Sequence, residues 1–134
     1  MAKITEIEGV GEVNAAKLKK AGISSVEKLL KIGAEPAGRK EIASKSGFDE
    51  KLILKWVNFA DLFRIKGVAS EYSELLEAAG VDTVIELSKR VPENLQKKME
   101  EVNQQKKLVR RIPTLKEVEK WVRQAKELPR GVHY

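Results

Sequence analysis

Residues 7–23 read IEGVGEVNAAKLKKAGI, and residues 65–81 read IKGVASEYSELLEAAGV. At an offset of 58, Gly9/Gly67, Val10/Val68, Leu18/Leu76, Ala21/Ala79, Gly22/Gly80, Val26/Val84 and Leu29/Leu87 coincide. Farther on, Trp56-Val57 matches Trp121-Val122 and Ala60 matches Ala125, at an offset of 65. The second copy carries about seven extra residues, which the RRIPT stretch at 110–114 accommodates as a loop. Glycines, aliphatics and a Trp-Val pair recurring in one order define a duplication. The first copy runs over 4–62, the second over 63–128, and 129–134 form a C-terminal tail.

The punctuation is helical throughout. Thr5-Glu-Ile-Glu8, Ser24-Ser-Val-Glu27 and Thr114-Leu-Lys-Glu117 have the form of capping boxes. Asp49 and Asp82 are candidate N-caps. Pro36 and Pro92 suit first-turn positions, where a missing N–H costs nothing. Gly22, Gly47 and Gly80 follow apolar-periodic runs, as left-handed C-terminal caps do. Leu115, Val118, Val122, Ala125 and Leu128 share one helical face, and no stretch alternates long enough to be a strand. The spacing predicts helices over about 4–8, 12–21, 25–33, 36–46, 50–65, 70–79, 83–90, 92–109 and 115–127. The expected architecture is all-α, two fused repeats packed as one compact helical unit without β-sheet. The 50–65 helix is expected to serve both copies.

Composition excludes much chemistry. The 134 residues contain no Cys and one His, so thiolate sites, disulfides and histidine pairs are absent. Aromatics are only 5%, so the core is mostly aliphatic. No apolar run reaches the length of a membrane span. The N-terminal MAKITEIEGVG lacks the apolar stretch of a secretory leader. A cytoplasmic protein is expected, with no cofactor and no small-molecule substrate. Asp49-Glu50 and Glu100-Glu101 are adjacent pairs, which do not share a helix face, so they make neither metal sites nor acid–base pairs. No enzyme is expected. Trp56 and Trp121 read as core residues, and His133-Tyr134 as a frayed end.

The Glu8-Gly9-Val10-Gly11-Glu12 turn is the sharpest local motif. Glycines at both ends allow close backbone approach, and the helix that follows starts with outward-pointing, unsatisfied N–H groups at the positive end of its dipole. That is a ready phosphate site. Asn14 lies in the first turn as a donor, and Lys17 and Lys20 lie within the next two turns. The pattern Ile7-x-Gly9-Val10-Gly11-x-x-x-Ala15-x-x-Leu18-x-x-Ala21-Gly22-Ile23 resembles the helix-hairpin-helix motif. The resemblance implies a hairpin that holds nucleic-acid backbone through its amides without reading bases, sometimes with a monovalent cation on its carbonyls. It makes Gly9 and Gly11 the hairpin glycines and Val10 the residue pinning the turn to the core. From IEGVG through AGRKE, KWVNFADL, RIKGV and KKLVRRIP to KELPR, the chain is similar to a family of small prokaryotic proteins with duplicated helix-hairpin-helix repeats, catalogued as a domain of unknown function.

Charge separates the two hairpins. The net charge of +6 is shared equally by the halves, so any electrostatic footprint is local. Residues 3–31 carry +2, whereas 65–88 carry −4, and a surface of that sign does not approach phosphates. The second hairpin also has Ala69 where the second Gly belongs. It reads as structural, and the first as the candidate site. Glu12 counts against that site if it stands near the hairpin amides. A second basic cluster, 89–111, carries +5 and ends in Arg110-Arg111, placed where a helix ends. Two functions follow. One is weak, sequence-independent binding of DNA or RNA backbone through Gly9, Val10, Gly11, Asn14, Lys17, Lys20, Arg110 and Arg111. The other is a protein-interaction or scaffold module in which the repeats are purely architectural. Exposure of Phe59 and Leu62 discriminates between them.

Overall fold

The computed structural model describes residues 2–134. A 3-10 turn, η1 (Ile4–Glu6), precedes eight helices: α1 (Glu12–Lys20), α2 (Val26–Gly33), α3 (Pro36–Ser46), α4 (Glu50–Leu62), α5 (Ser70–Ala78), α6 (Val84–Ser88), α7 (Pro92–Lys106) and α8 (Leu115–Glu127). Among the described residues the only β pairing is one isolated bridge between Lys3 and Ser25. The fold is all-α, as expected. By its contacts the chain divides into two compact units. The first comprises residues up to Asp61 together with Gly131–Tyr134, the second Leu62–Arg130. The reason is that each copy closes its own core around its own Trp.

In the first unit, Ile7, Val10, Leu18, Ile23, Leu29, Ile42, Ile53, Trp56 and Val57 are buried. In the second, Ile65, Val68, Leu76, Val81, Leu87, Val118, Trp121 and Val122 are buried in one cluster, with α6 and α7 both packed on α8. The same backbone bonds recur 58 residues apart. Val10 donates to the Ile7 carbonyl at 3.0 Å and Val68 to that of Ile65 at 3.1 Å. Ile23 donates to Leu18 at 2.9 Å and Val81 to Leu76 at 2.8 Å, each after a left-handed glycine, Gly22 or Gly80. α4 and α8 are both 13 residues long. Trp56 is therefore the seventh residue of one and Trp121 the seventh of the other.

Helix ends follow capping chemistry more than apolar period. Thr114 and Glu117 form the expected capping box. The other two shift: Ser25, not Ser24, caps α2 by accepting from the Lys28 N–H, and Glu6, not Glu8, reaches back to the Lys3 N–H. Thr83 rather than Asp82 caps α6. α4 stops at Leu62, short of residue 65. α7 stops at Lys106 because Asn103 clamps the next loop, accepting from the Val109 N–H at 2.9 Å and donating to its carbonyl at 3.1 Å. Arg110 and Arg111 thus lie in the loop after α7, not at a helix end.

The end of the chain is ordered, contrary to the expectation of fraying. Val132 is buried, and His133 donates its N–H to the Ala34 carbonyl at 2.8 Å. The anchor is Arg39, a buried guanidinium in α3. It donates to the carbonyls of Gly33 (2.8 Å), Ala34 (3.1 Å) and His133 (2.7 Å). The α2 C-terminus has orphan carbonyls that need such partners, and a guanidinium presents several donors in a fixed fork. Replacing Arg39 by Met keeps much of the stem but strands those carbonyls. We expect a loss of about 2–4 kcal/mol in denaturant unfolding, with faster amide exchange at His133. Arg39→Lys should not restore either, since an ammonium cannot span the fork.

Candidate functional site

The first hairpin is set by one residue conformation. Gly9 has φ +90°, a region L side chains avoid. Gly11 does not need to be glycine: it is extended (φ −86°, ψ −173°) and acts as the N-cap of α1. Ala69 occupies the equivalent place before α5 in a similar extended conformation. The missing second glycine in the second hairpin therefore has no structural consequence. Val10 is buried, pinning the turn as expected, but its N–H is already held by Ile7. Val10 accordingly drops out as an amide donor to a ligand. The first-turn N–H groups of α1 remain, because no intrahelical carbonyl reaches them.

Around Gly9 the side chains sort by helical phase. Asn14 donates its amide to the Gly9 carbonyl at 3.2 Å, so it braces the hairpin. The Lys17 ammonium lies 5.6 Å from the centre of the Phe48 ring, whose edge meets Trp56 at 5.0 Å between centroids. Trp56 in turn lies beneath Gly9. Lys17, Asn14 and the hairpin glycine therefore share one side of α1. Glu12 does not. At 3.6 residues per turn it stands about 140° around the helix from Lys17. It lines a groove with Ile4, Ala15, Ala16, Lys19 and Ser24 instead. That phase turns the Glu12 side chain away from the Lys17 face. Lys20 is exposed, between the two faces.

The second hairpin repeats the turn without the cations. Gly67 has φ +96°. The counterparts of Asn14 and Lys17 are Tyr72 and Leu75. Tyr72 packs on Trp121, with centroids 5.3 Å apart, and donates its hydroxyl to the Arg111 carbonyl. Leu75 is fully buried.

The 89–111 cluster is partly used for structure. Arg90 donates to the Ala79 carbonyl at the end of α5. Arg111 makes a two-pronged pair with Glu117, at 2.7 and 3.0 Å. Lys97, Lys98, Lys106, Lys107 and Arg110 are exposed. Arg111 therefore serves the start of α8, and of the two arginines only Arg110 stays open to solvent without a partner among the described residues. The Arg111 hydrogen bond, then the Thr114 N–H, hold the Glu117 carboxyl at about 2, below its ordinary 4.5. A carboxyl lowered on folding contributes stability that is complete above the unfolded value and is lost as pH falls through the folded one. The α8 N-terminus should therefore loosen between about pH 4.5 and 2. Exchange of the Thr114 and Glu117 amides should follow that window, and Glu117→Gln should flatten it.

Among the described residues no group of three or more His, Asp or Glu side chains is arranged to hold a metal ion. No helix among them is long and apolar enough to cross a membrane. Fold and site together define an all-α protein whose two halves carry the same glycine hairpin, one basic and one acidic. Residues 8–128 match the family described as a domain of unknown function (DUF4332), and the chain belongs to that family. Neither curated proteins nor solved structures give a match.

Proposed function

We propose that the chain is a non-catalytic module that holds nucleic-acid backbone, DNA or RNA, without reading base sequence, and that it does so through the first hairpin. Both turns fit the helix-hairpin-helix pattern, the first with η1 as its leading helix. The observation that carries the reading is the face shared by Gly9 and Asn14 at the start of α1 and by Lys17 farther along the same helix, with Glu12 turned away. Orphan N–H groups, a helix dipole and a neighbouring ammonium are what a phosphate requires. The cytoplasm is the compartment this function suits. The second hairpin, with Tyr72 and Leu75 in those positions, is architectural on this reading.

A protein partner is the second reading. It is favoured by Val13, 72% exposed on α1, and by the open groove of about 340 Å³ between Ile4, Ala15, Ala16 and Ser24. Against it, Phe59 and Leu62 are buried. A salt titration with random duplex, single-stranded DNA and structured RNA separates the two. A hairpin contacting two or three phosphates gives log K against log salt a slope of about −2 to −3 on duplex. Phosphate contacts carry no sequence information, so affinity should be indifferent to sequence. Binding that ignores salt, or none, would leave the protein-partner reading.

A further inference from the structure

Glycine at position 9 leaves a gap, and the gap has a donor at its floor. A Cβ built on Gly9 would meet one atom within 4 Å beyond its chain neighbours, the Trp56 Nε1, at 3.4 Å. Trp56 is only 1% exposed. Among the described residues its indole N–H has no hydrogen-bond acceptor. Yet no sealed side-chain nitrogen or oxygen is left without a partner. The two facts are compatible only if the Nε1 keeps a sliver of accessible surface, and it is the one atom lining the place of the missing Gly9 Cβ. A buried indole ordinarily finds an acceptor, so an open donor under a hairpin is a departure from normal packing. It occurs twice. A Cβ on Gly67 would stand 3.0 Å from the Trp121 Nε1.

We infer that Trp56 is a ligand-binding residue: its indole N–H donates to an acceptor oxygen seated over the face of Gly9. The inference rests on the nucleic-acid reading, which makes that oxygen a backbone phosphate oxygen. An oxygen resting against the bare Gly9 Cα, outside the position a Cβ would fill, has the Trp56 Nε1 as its nearest side-chain donor, 3.4 Å from that position. The first-turn amides of α1 follow the hairpin at once, and Lys17 stands over the Phe48 ring that packs on Trp56. The contact explains why glycine and Trp recur together. Glycine supplies the positive φ and also keeps the donor uncovered. The Trp121 donor has the same geometry but lies in the −4 hairpin with Leu75 in place of the ammonium. It should not take a phosphate.

The test uses the full chain, labelled with ¹⁵N, titrated with a short random DNA duplex at low salt. The two indole N–H signals separate the hairpins. The Trp56 indole proton should move downfield and saturate together with the Gly11 and Glu12 amides, while Trp121 stays still. Trp56→Phe should weaken binding about tenfold, the loss expected for one hydrogen bond to a charged acceptor. Its salt slope should not change, because a neutral donor displaces no counterion. Should the Gly11 and Glu12 amides shift while the Trp56 indole does not, the inference fails and the nucleic-acid reading stands. If neither moves, both fail. Equal movement of both indoles, or a Trp56→Phe protein that binds like the parent, would also overturn it.

Discussion

Replacing Gly38 by Ala should destabilise the protein by more than about 3 kcal/mol, although helix propensity alone favours Ala by about 1 kcal/mol. Gly38 is the third residue of α3. A Cβ there would overlap the backbone carbonyl oxygen of Ile32, in the last turn of α2. No rotamer relieves a clash with backbone, so α2 and α3 must separate. Their separation pulls on Leu29, Gly33 and Ile42, which are buried, and on the Arg39 fork one residue along. Overpacking typically costs about 1–3 kcal/mol where side chains can adjust, and here the obstacle cannot. Two other glycines calibrate the result. Gly47 has φ +82° with open space beside it, so Gly47→Ala should cost only the left-handed strain, about 1–2 kcal/mol. Gly11 has neither positive φ nor a neighbour within 4 Å, so Gly11→Ala should cost only the poorer N-cap, under about 1 kcal/mol. Thermal unfolding by circular dichroism should give that order, with Gly38→Ala lowered by more than about 10 °C. A Gly38→Ala protein as stable as the parent would mean that the α2–α3 crossing differs from the one described.

The helices were legible because their signals are local. Pro36 and Pro92 start α3 and α7, Gly22, Gly47 and Gly80 take left-handed angles, and Thr114 caps α8. Each depends on a few neighbours and on backbone sterics. The boundaries that moved are those set by side chains several residues away, such as Asn103 closing the loop after α7. Arg39 and Gly38 escaped for the same reason. In sequence they are the unremarkable middle of PAGRKE, and only the crossing of α2 and α3 gives them a task. Ordering of the chain end was equally hidden, since it depends on Arg39, some 94 residues distant. In the hairpin, the pattern identified Gly9 but overvalued Gly11 and the Val10 amide. Two glycines flanking a valine look equivalent until φ separates them. Trp56 read as core, and it is; that its indole nitrogen stands 3.4 Å from the place of a Gly9 Cβ is a three-dimensional fact with no local signature.

Reversing both cations, Lys17→Glu and Lys20→Glu, should abolish binding of the duplex, a loss of at least about a hundredfold at low salt. The change removes two phosphate neighbours and installs two repelling charges in the last turn of α1. If each lysine neutralises one phosphate, removing both should also flatten the salt slope by about 1.8. Stability should barely move, since both ammonium groups are exposed and Lys17 has only its Phe48 ring contact to lose. The pair can be separated by phase. Lys17 faces the Gly9 side, so Lys17→Glu alone should account for most of the loss; Lys20 lies between the faces and should contribute less. Glu12→Lys gives the complementary reading. A carboxylate standing near the amides would make its reversal strongly favourable. Standing about 140° from Lys17, on the groove with Ala15, Ala16 and Lys19, it should strengthen binding only a few-fold, through the general field. Lys66→Glu, beside the acidic hairpin, should change nothing comparable. If the Lys17/Lys20 double variant binds as the parent does, the phosphate does not sit at this hairpin. If the order of Lys17 and Lys20 is reversed, the ligand approaches from the Glu12 side of α1, and the Gly9 face loses its claim as the site.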